Sequence, residues 1–378
     1  MIITLSREFD ELDPSGWLAY LPAIENLIVA HIHGWHVLVL SRGVLDTLGQ
    51  VDALSLRHRT VLEVYIGEKL STLAGQAASV SRKIECCIRE ANGGAERIDI
   101  IEIALTDFND IENCFKSRFL VENSDSDGKF YVSVAQMLGS DGQMLLPLAF
   151  DYENGGGSTT AAQARRLMQR PRPLLIVVDS DRSHPDDREG DTARQVRSQF
   201  QGGPVGAAHK LIVTPVRSVE NFVPPSLGAD FLSGKPESLE VCAALATLDE
   251  LESDGAMDPS TSALCYINLK KGIKIGAYRK GKAEFRESVR SLSQLLGIEF
   301  SPPSDNDNAR DDELAIPGVH KKFIEYFVEA LDRKEFSSTC KDAFKSSRFS
   351  VLFGSLLNEV VSFGMSAGRI PVDISDAA

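Results

Sequence analysis

No run of apolar residues in this 378-residue chain approaches the roughly 18 that a membrane-spanning helix requires. The start, Met1-Ile-Ile-Thr-Leu-Ser-Arg-Glu-Phe-Asp10, lacks a basic segment followed by an apolar one. A cleaved signal peptide is therefore not expected, and the expected compartment is the cytoplasm. Cysteine is sparse, at positions 86, 87, 114, 242, 265 and 340. No two form a Cys-x-x-Cys pair, and the adjacent Cys86-Cys87 does not have zinc-ligand spacing, so reduced thiols filling the core are expected. Positive charge is also in deficit. Forty Lys and Arg face 54 Asp and Glu, a net charge of −14. That excludes an indiscriminate nucleic-acid coat, which neutralises phosphates with a basic surface, but leaves room for a local basic patch. No Gly-Lys-Ser/Thr follows a glycine-rich loop, so the chain is not expected to bind ATP by a P-loop. No internal repeat is present.

What remains is a soluble-type composition long enough for two or three domains. Residues 1–116 mix strand and helix signals. His36–Leu40 and Ile98–Ala104 read as strands. Arg59–Leu73, Ala77–Ile88 and Asp107–Lys116 read as helices. Residues 117–230 alternate strictly. Strands are expected at Phe119–Val121, Met144–Phe150, Leu174–Val178 and His209–Val213. Helices are expected from Lys129, after Gly155-Gly156-Gly157-Ser158-Thr159, and over Asp191–Phe200. Such alternation implies βαβ units and a mostly parallel sheet. The five aliphatic residues 174–178 suit a central strand buried on both faces. Residues 231–378 carry helical periodicity at Leu239–Glu252, Ala283–Leu296, Val319–Arg333 and Arg348–Phe363. A polar linker is expected at Ser301–Asp312, and a disordered tail from Pro371. The fold class expected is α/β, with an N-terminal α/β region, a central parallel sheet and a mainly helical C-terminal region.

The chemistry lies in where the acids fall. Glu122 directly follows one expected strand. Asp179 directly follows another, and Asp181 stands two residues on. In a parallel sheet, functional residues collect beyond the carboxyl ends of the strands. If these strands are neighbours, the three acids meet. Two carboxylates 4 Å apart repel by about 4 kcal/mol at an effective dielectric near 20. Such a group keeps a proton or takes a cation, and all-oxygen ligation selects magnesium or manganese over zinc. Alternatively, an Asp-x-Asp after a strand merely caps the next turn.

Leu120-Val-Glu-Asn-Ser-Asp-Ser-Asp-Gly-Lys-Phe-Tyr131 resembles the first Toprim motif, a strand ending in glutamate and leading into a helix. Leu174-Leu-Ile-Val-Val-Asp-Ser-Asp-Arg182 resembles the Toprim Asp-x-Asp motif. Val216-Arg-Ser-Val-Glu-Asn-Phe-Val223 is similar to a segment of Toprim nucleases in phage-defence operons, including those that partner ABC-type ATPases. The resemblance covers residues 117–230. It implies that Glu122 is a metal ligand or general acid/base, and that Asp179 and Asp181 are metal ligands. Glu220 would be a further acid near the metal, or else Glu220-Asn221 is a helix start or polar turn. Asp127 stands where nuclease members add an acid, although one extra residue separates it from Glu122.

The glycine run 155–157 reads as a sharp turn and helix entry, whose helix N-terminus could receive a backbone phosphate. His31, His33 and His36 read as ordinary strand-entry histidines, and His184 as a solvated loop residue. Lys270, Lys271, Lys274, Arg279 and Lys280, interleaved with Tyr266 and Tyr278, are the candidate nucleic-acid contact. The competing reading is a solvated hairpin of Ala263–Ile267 with Ile273–Tyr278. Taken together, these signals lead us to expect a Mg²⁺- or Mn²⁺-dependent endonuclease serving antiphage defence, with a separate ABC-type ATPase as a possible partner and homo-oligomers possible. The alternative is a non-catalytic Toprim module that regulates or recruits an ATPase.

Overall fold

The computed structural model describes residues 1–88, 99–139, 146–202, 208–232, 234–253, 258–299, 311–346 and 349–370. Two all-parallel four-stranded sheets organise the chain. The first contains β1 (Ile2–Leu5), β2 (Val37–Val39), β3 (Lys83–Cys87) and β4 (Ile100–Ala104), in the order β2-β1-β3-β4. The second contains β5 (Arg118–Val121), β6 (Asp151–Asn154), β7 (Leu174–Val178) and β8 (His209–Val213), in the order β6-β5-β7-β8. The fold is thus α/β, with a helical C-terminal region, as the alternating pattern implies.

Strand periodicity explains how the second sheet is clothed on both faces. Leu120, Leu174, Ile176 and Val178 point to one side, against Ala164 and Leu167 of helix Thr160–Leu167 and Ala193 and Val196 of helix Asp191–Gly202. Phe119, Val121, Leu175 and Val177 point to the other, into the largest core. There the helix Lys129–Gly139 presents Phe130 and Tyr131 to Phe327, Phe344 and Phe353 of the C-terminal helices. That core runs without a break through residues of all three sequence regions. The C-terminal helix Phe349–Gly364 also ties back to the first sheet, where Arg82 Nε lies 3.0 Å from Glu359 Oε2.

Several local expectations need correction. The strand expected at Met144–Phe150 falls later, at Asp151–Asn154, while residues 140–145 lie outside the described residues. Its sequence, Asp-Tyr-Glu-Asn, is polar because it is an edge strand with one paired side. The helix expected over Ala77–Ile88 ends at Ser79, and Lys83–Cys87 is a strand with alternate residues buried. Arg59–Leu73 is not one helix. It is broken into Leu56–Thr60, a wide π-type turn at Val61–Gly67, and the start of helix Leu70–Ser79. Asp107–Lys116 forms two short 3₁₀ turns. The competing hairpin of residues 263–278 does not form. Ala263–Tyr266 is a helical turn, Ile273–Lys274 pairs antiparallel with Leu314–Ile316, and Ile275–Lys280 is helical. Helix Lys334–Ser346 is not among the expected elements. Most of the expected linker 301–312, and the tail from Pro371, lie outside the described residues. Among the described residues, no helix is long and apolar enough to cross a membrane.

Candidate functional site

Strands β5 and β7 are adjacent and parallel, with Leu120 opposite Ile176. Their carboxyl ends therefore emerge together, carrying Glu122 and Asp179 to one edge. Glu122 is fixed through its backbone. Its carbonyl accepts from Gly156 N at 3.0 Å, and the Val121 carbonyl accepts from Gly155 N at 2.8 Å. Gly156 and Gly157 adopt φ of +65° and +63°, which side-chain-bearing residues rarely take, so the glycine run is the sharp turn expected. Asp127 closes the turn after β5. Its carboxylate accepts from Asn123 N at 3.0 Å and from Ser126 Oγ at 2.7 Å.

Asp179 Oδ1 accepts from Val219 N at 3.1 Å, which binds the end of β7 to the segment after β8. That segment is a capped 3₁₀ turn, Val219–Phe222. Asn221 Oδ1 takes the Ser218 N–H at 3.1 Å, while Asn221 Nδ2 donates to the carbonyls of Leu264 and Ile267 at 2.8 and 2.9 Å. With Asn221 pinned to the helical region, Glu220 is held inward and is 2% exposed. Among the described residues Asp181 is the one non-glycine residue with positive φ, at 55°. Its backbone N–H is held by the Arg217 carbonyl at 2.9 Å. Gly190 sits so close that a Cβ there would stand 2.6 Å from Asp181 Cβ. Left-handed backbone at a non-glycine residue persists only where its surroundings over-determine it.

The electrostatics follow from crowding acids at one end of the sheet, where Glu220 is buried, Glu122, Asp127 and Asp179 are half-buried and Asp181 is exposed. Loss of hydration, then Asp181 and Asp127, push the Glu122 carboxyl up to about 7. Burial likewise raises Asp127 to about 6. Asp179 is driven well above the usual carboxylate range by burial, with Glu220, Asp127, Glu122 and Asp181 adding to it. The buried Tyr131 hydroxyl, beneath the same acids, is also pushed far upward. Among the described residues, the buried Glu122 Oε1 has no hydrogen-bond partner.

Several cations answer these acids, among them the Arg217 guanidinium, which acts on Asp181, Asp179 and Glu220. Lys270 Nζ lies 2.6 Å from Glu220 Oε1. Its charge also acts on Glu122, Asp127, Asp179 and Asp181. Burial disfavours the Lys270 charge, but Glu220 and its neighbours outweigh burial and hold the ammonium above its ordinary value. Lys270 is itself exposed and brings its ammonium to the cluster from the surface. Lys271 is exposed and acts on Asp181 from outside. The remaining cations of the expected nucleic-acid contact are dispersed. Lys274 Nζ lies 2.7 Å from Asp312, Arg279 lies 2.7 Å from Asp311, and Lys280 is exposed near His184.

The histidines divide. His31 Nδ1 accepts from Leu38 N at 3.1 Å, His36 Nε2 lies 2.9 Å from the Phe115 carbonyl, and His33 stacks on Trp35. All three have structural partners. His184 is not a solvated loop residue. It is 6% exposed and packs beside Phe285, so the chain after Asp181 turns inward.

The donor set suits a hard cation: several carboxylates and an unmatched buried oxygen on Glu122, with no sulfur among the five acids. Among the described residues, however, no three His, Cys, Asp or Glu side chains already converge as the ligands of one ion. The acids act on one another electrostatically, and Lys270 pairs with Glu220 at their margin. No family model matches the chain, and no curated protein or solved structure matches it.

Proposed function

We propose that this chain is a Mg²⁺- or Mn²⁺-dependent nuclease of the Toprim type, cleaving phosphodiester bonds of DNA or RNA. The observation that carries the reading is the gathering of Glu122, Asp127, Asp179, Asp181 and Glu220 beyond the carboxyl ends of one parallel sheet. Glu122, Asp179 and Asp181 would hold the ion, with Asp127 and Glu220 supplying further oxygens. When bound, such an ion polarises a phosphoryl oxygen and stabilises the leaving oxygen. Glu122, with its carboxyl near 7, exchanges a proton at working pH, which suits a general acid or base. Lys270 offers a positive charge to the same place, where a phosphate must lie to be attacked.

In this reading the flanking regions restrain or direct cleavage, and an ABC-type ATPase of a defence operon is the proposed partner. A second reading has a specific observation behind it. Lys270 already neutralises part of the cluster, as it would in a non-catalytic Toprim module whose acids serve only the fold.

The test is incubation of the purified chain with plasmid, linear duplex, single-stranded DNA and tRNA, in Mg²⁺, Mn²⁺ or EDTA, beside Glu122→Gln and Asp179→Asn. Cleavage that needs the metal and fails in both variants is expected. Metal-independent cleavage, or cleavage unchanged in Glu122→Gln, refutes the assignment. No cleavage by the chain with or without an ATPase partner, together with no effect of Mg²⁺ on its stability, favours the non-catalytic module.

A further inference from the structure

The opposite edge of the second sheet carries a concentration of the other sign. Gln163-Ala-Arg165-Arg166-Leu-Met-Gln-Arg170-Pro-Arg172 places four arginines close together in a chain whose net charge is −14. The helix Thr160–Leu167 ends there and the chain turns into β7, so Arg166, Arg170 and Arg172 come near Arg118 at the start of β5. Arg118, Arg166 and Arg170, with Leu167 and Gln169, line a recess of about 280 Å³. Glu122 lies four residue steps along the strand from Arg118, a span of roughly 13 Å, so the recess is distinct from the acidic cluster.

Acids already stand around this recess, and they engage Arg170 more fully than Arg118. Arg170 is held by Glu112, with Asp110 at 3.6 Å. Arg172 is turned away, to Asp151 and the Lys116 carbonyl. Glu153 is shared at 3.8 Å by Arg118 and Arg166, beyond hydrogen-bond distance from either, and it also accepts from Gln163. Among the described residues, the buried Arg118 Nε has no hydrogen-bond partner. Burial lowers the proton affinity of the Arg118 guanidinium, and Arg172, Arg166 and Arg170 lower it further against the opposing pull of Glu153. An occupant that improves on these carboxylates needs more negative charge in a small volume and several acceptor oxygens for planar N–H forks. A phosphate has both, and arginine is the residue that recognises it in this geometry. The recess is at the small end of ligand sites, matching a phosphate with its attached sugar better than an extended molecule.

We propose that the Arg118–Arg166–Arg170 recess binds a phosphate group, carried either by a nucleic-acid backbone or by a free nucleotide or phosphate. The site does not depend on whether the acidic cluster is catalytic. Binding is measured in EDTA, by calorimetry with inorganic phosphate and AMP, and by fluorescence anisotropy with a short labelled DNA single strand and its duplex. The variants are Arg166→Gln/Arg170→Gln, whose side chains are largely exposed, and Arg290→Gln as a charge control on another surface. Removing two charge-assisted hydrogen-bonding groups should weaken binding about tenfold or more. If the backbone of a nucleic acid is the ligand, the oligonucleotides bind, and the log–log salt slope falls by about 0.7–0.9 for each phosphate that the variant no longer neutralises. If a free phosphate compound is the ligand, inorganic phosphate or AMP binds with the same weakening in the double variant, and the oligonucleotides gain nothing. Arg118→Gln should abolish binding with an unchanged thermal midpoint. Should it unfold, the double variant decides. Failure of every probe to bind, or equal affinities in the double variant and Arg290→Gln, overturns the proposal.

Discussion

The raised carboxyls make the metal-free protein a strained acid cluster, and Glu122→Gln should relieve that strain in a pH-dependent way. In the unfolded chain Glu122 releases its proton near 4.5, and in the folded chain near 7. Between those values the folded chain keeps a proton that the unfolded chain has given up, so unfolding free energy falls as pH rises. The deficit is absent below about 4.5 and complete above about 7. At 1.36 kcal/mol per tenfold change in proton affinity, the difference is about 3 kcal/mol, trimmed to about 2–3 by partial solvent exposure. Glutamine keeps the shape and removes the titration. The variant should therefore match the wild type near pH 4.5 and exceed its stability by about 2 kcal/mol at pH 8. The assay is urea unfolding in EDTA across that range. Because the core is continuous through all three regions, unfolding at the site should register in the main transition. Added Mg²⁺ should raise the wild type at pH 8 and leave Glu122→Gln unmoved, since a ligand of the folded state stabilises by mass action only where it binds. Parallel pH profiles for the two proteins, or a variant less stable at pH 8, would refute the reasoning.

Other perturbations test the supports of the site. Gly190→Ala puts a Cβ 2.6 Å from Asp181 Cβ, so it should displace Asp181 and cut metal-dependent cleavage at least tenfold while circular dichroism stays unchanged. Lys270→Gln leaves Glu220 buried without its counter-ion and should cost about 1–3 kcal/mol of stability in EDTA. Mg²⁺ should recover more of that loss than it adds to the wild type, and thermal shift with and without the ion reads the difference. Asn221→Ala removes two bonds to the Leu264 and Ile267 carbonyls and should cost about 2–4 kcal/mol, measured by urea unfolding.

The fold is legible in the sequence where local chemistry and tertiary demand agree. Leu174–Val178 and His209–Val213 read as strands from five residues each, because β-favouring aliphatics and burial on the sheet point the same way. Asp151–Asn154 is not legible. An edge strand needs no apolar face of its own, and its place is set by Arg118–Asp151 and Val121–Asn154 pairing across the sheet. Lys83–Cys87 reads as helix because Ala77–Ile88 begins with helix-favouring residues. The break falls where Ser79–Ser81 frees the chain to pair with β1 and β4.

The same division runs through the site. Glu122, Asp179 and Asp181 are visible as acids at strand ends because a strand end is a local property, whereas the pairing of β5 with β7 is not, since β6 lies between them in sequence and takes the other side of β5. The meaning of Lys270 is not visible. In sequence it belongs to a basic run with Lys271 and Lys274, which suggests a surface for phosphates. In space the three diverge, to Glu220, to solvent beside Asp181, and to Asp312. What separates them is the turn at Asn268, whose side chain accepts from Lys270 N and Lys271 N, and the docking of that turn by Asn221. A charge run reports how many cations a segment has, whereas the acids that claim them arrive from residues far along the chain. The arginines from 165 to 172 reverse the case. Arg166, Arg170 and Arg172 come near Arg118 because β5 and β7 begin side by side, and among the described residues the acids around them leave Arg118 Nε without a hydrogen bond. Net charge therefore says little about where this protein receives an anion. The deciding quantity is the balance of partners within reach of each guanidinium or ammonium, which favours the arginine recess over the lysine run.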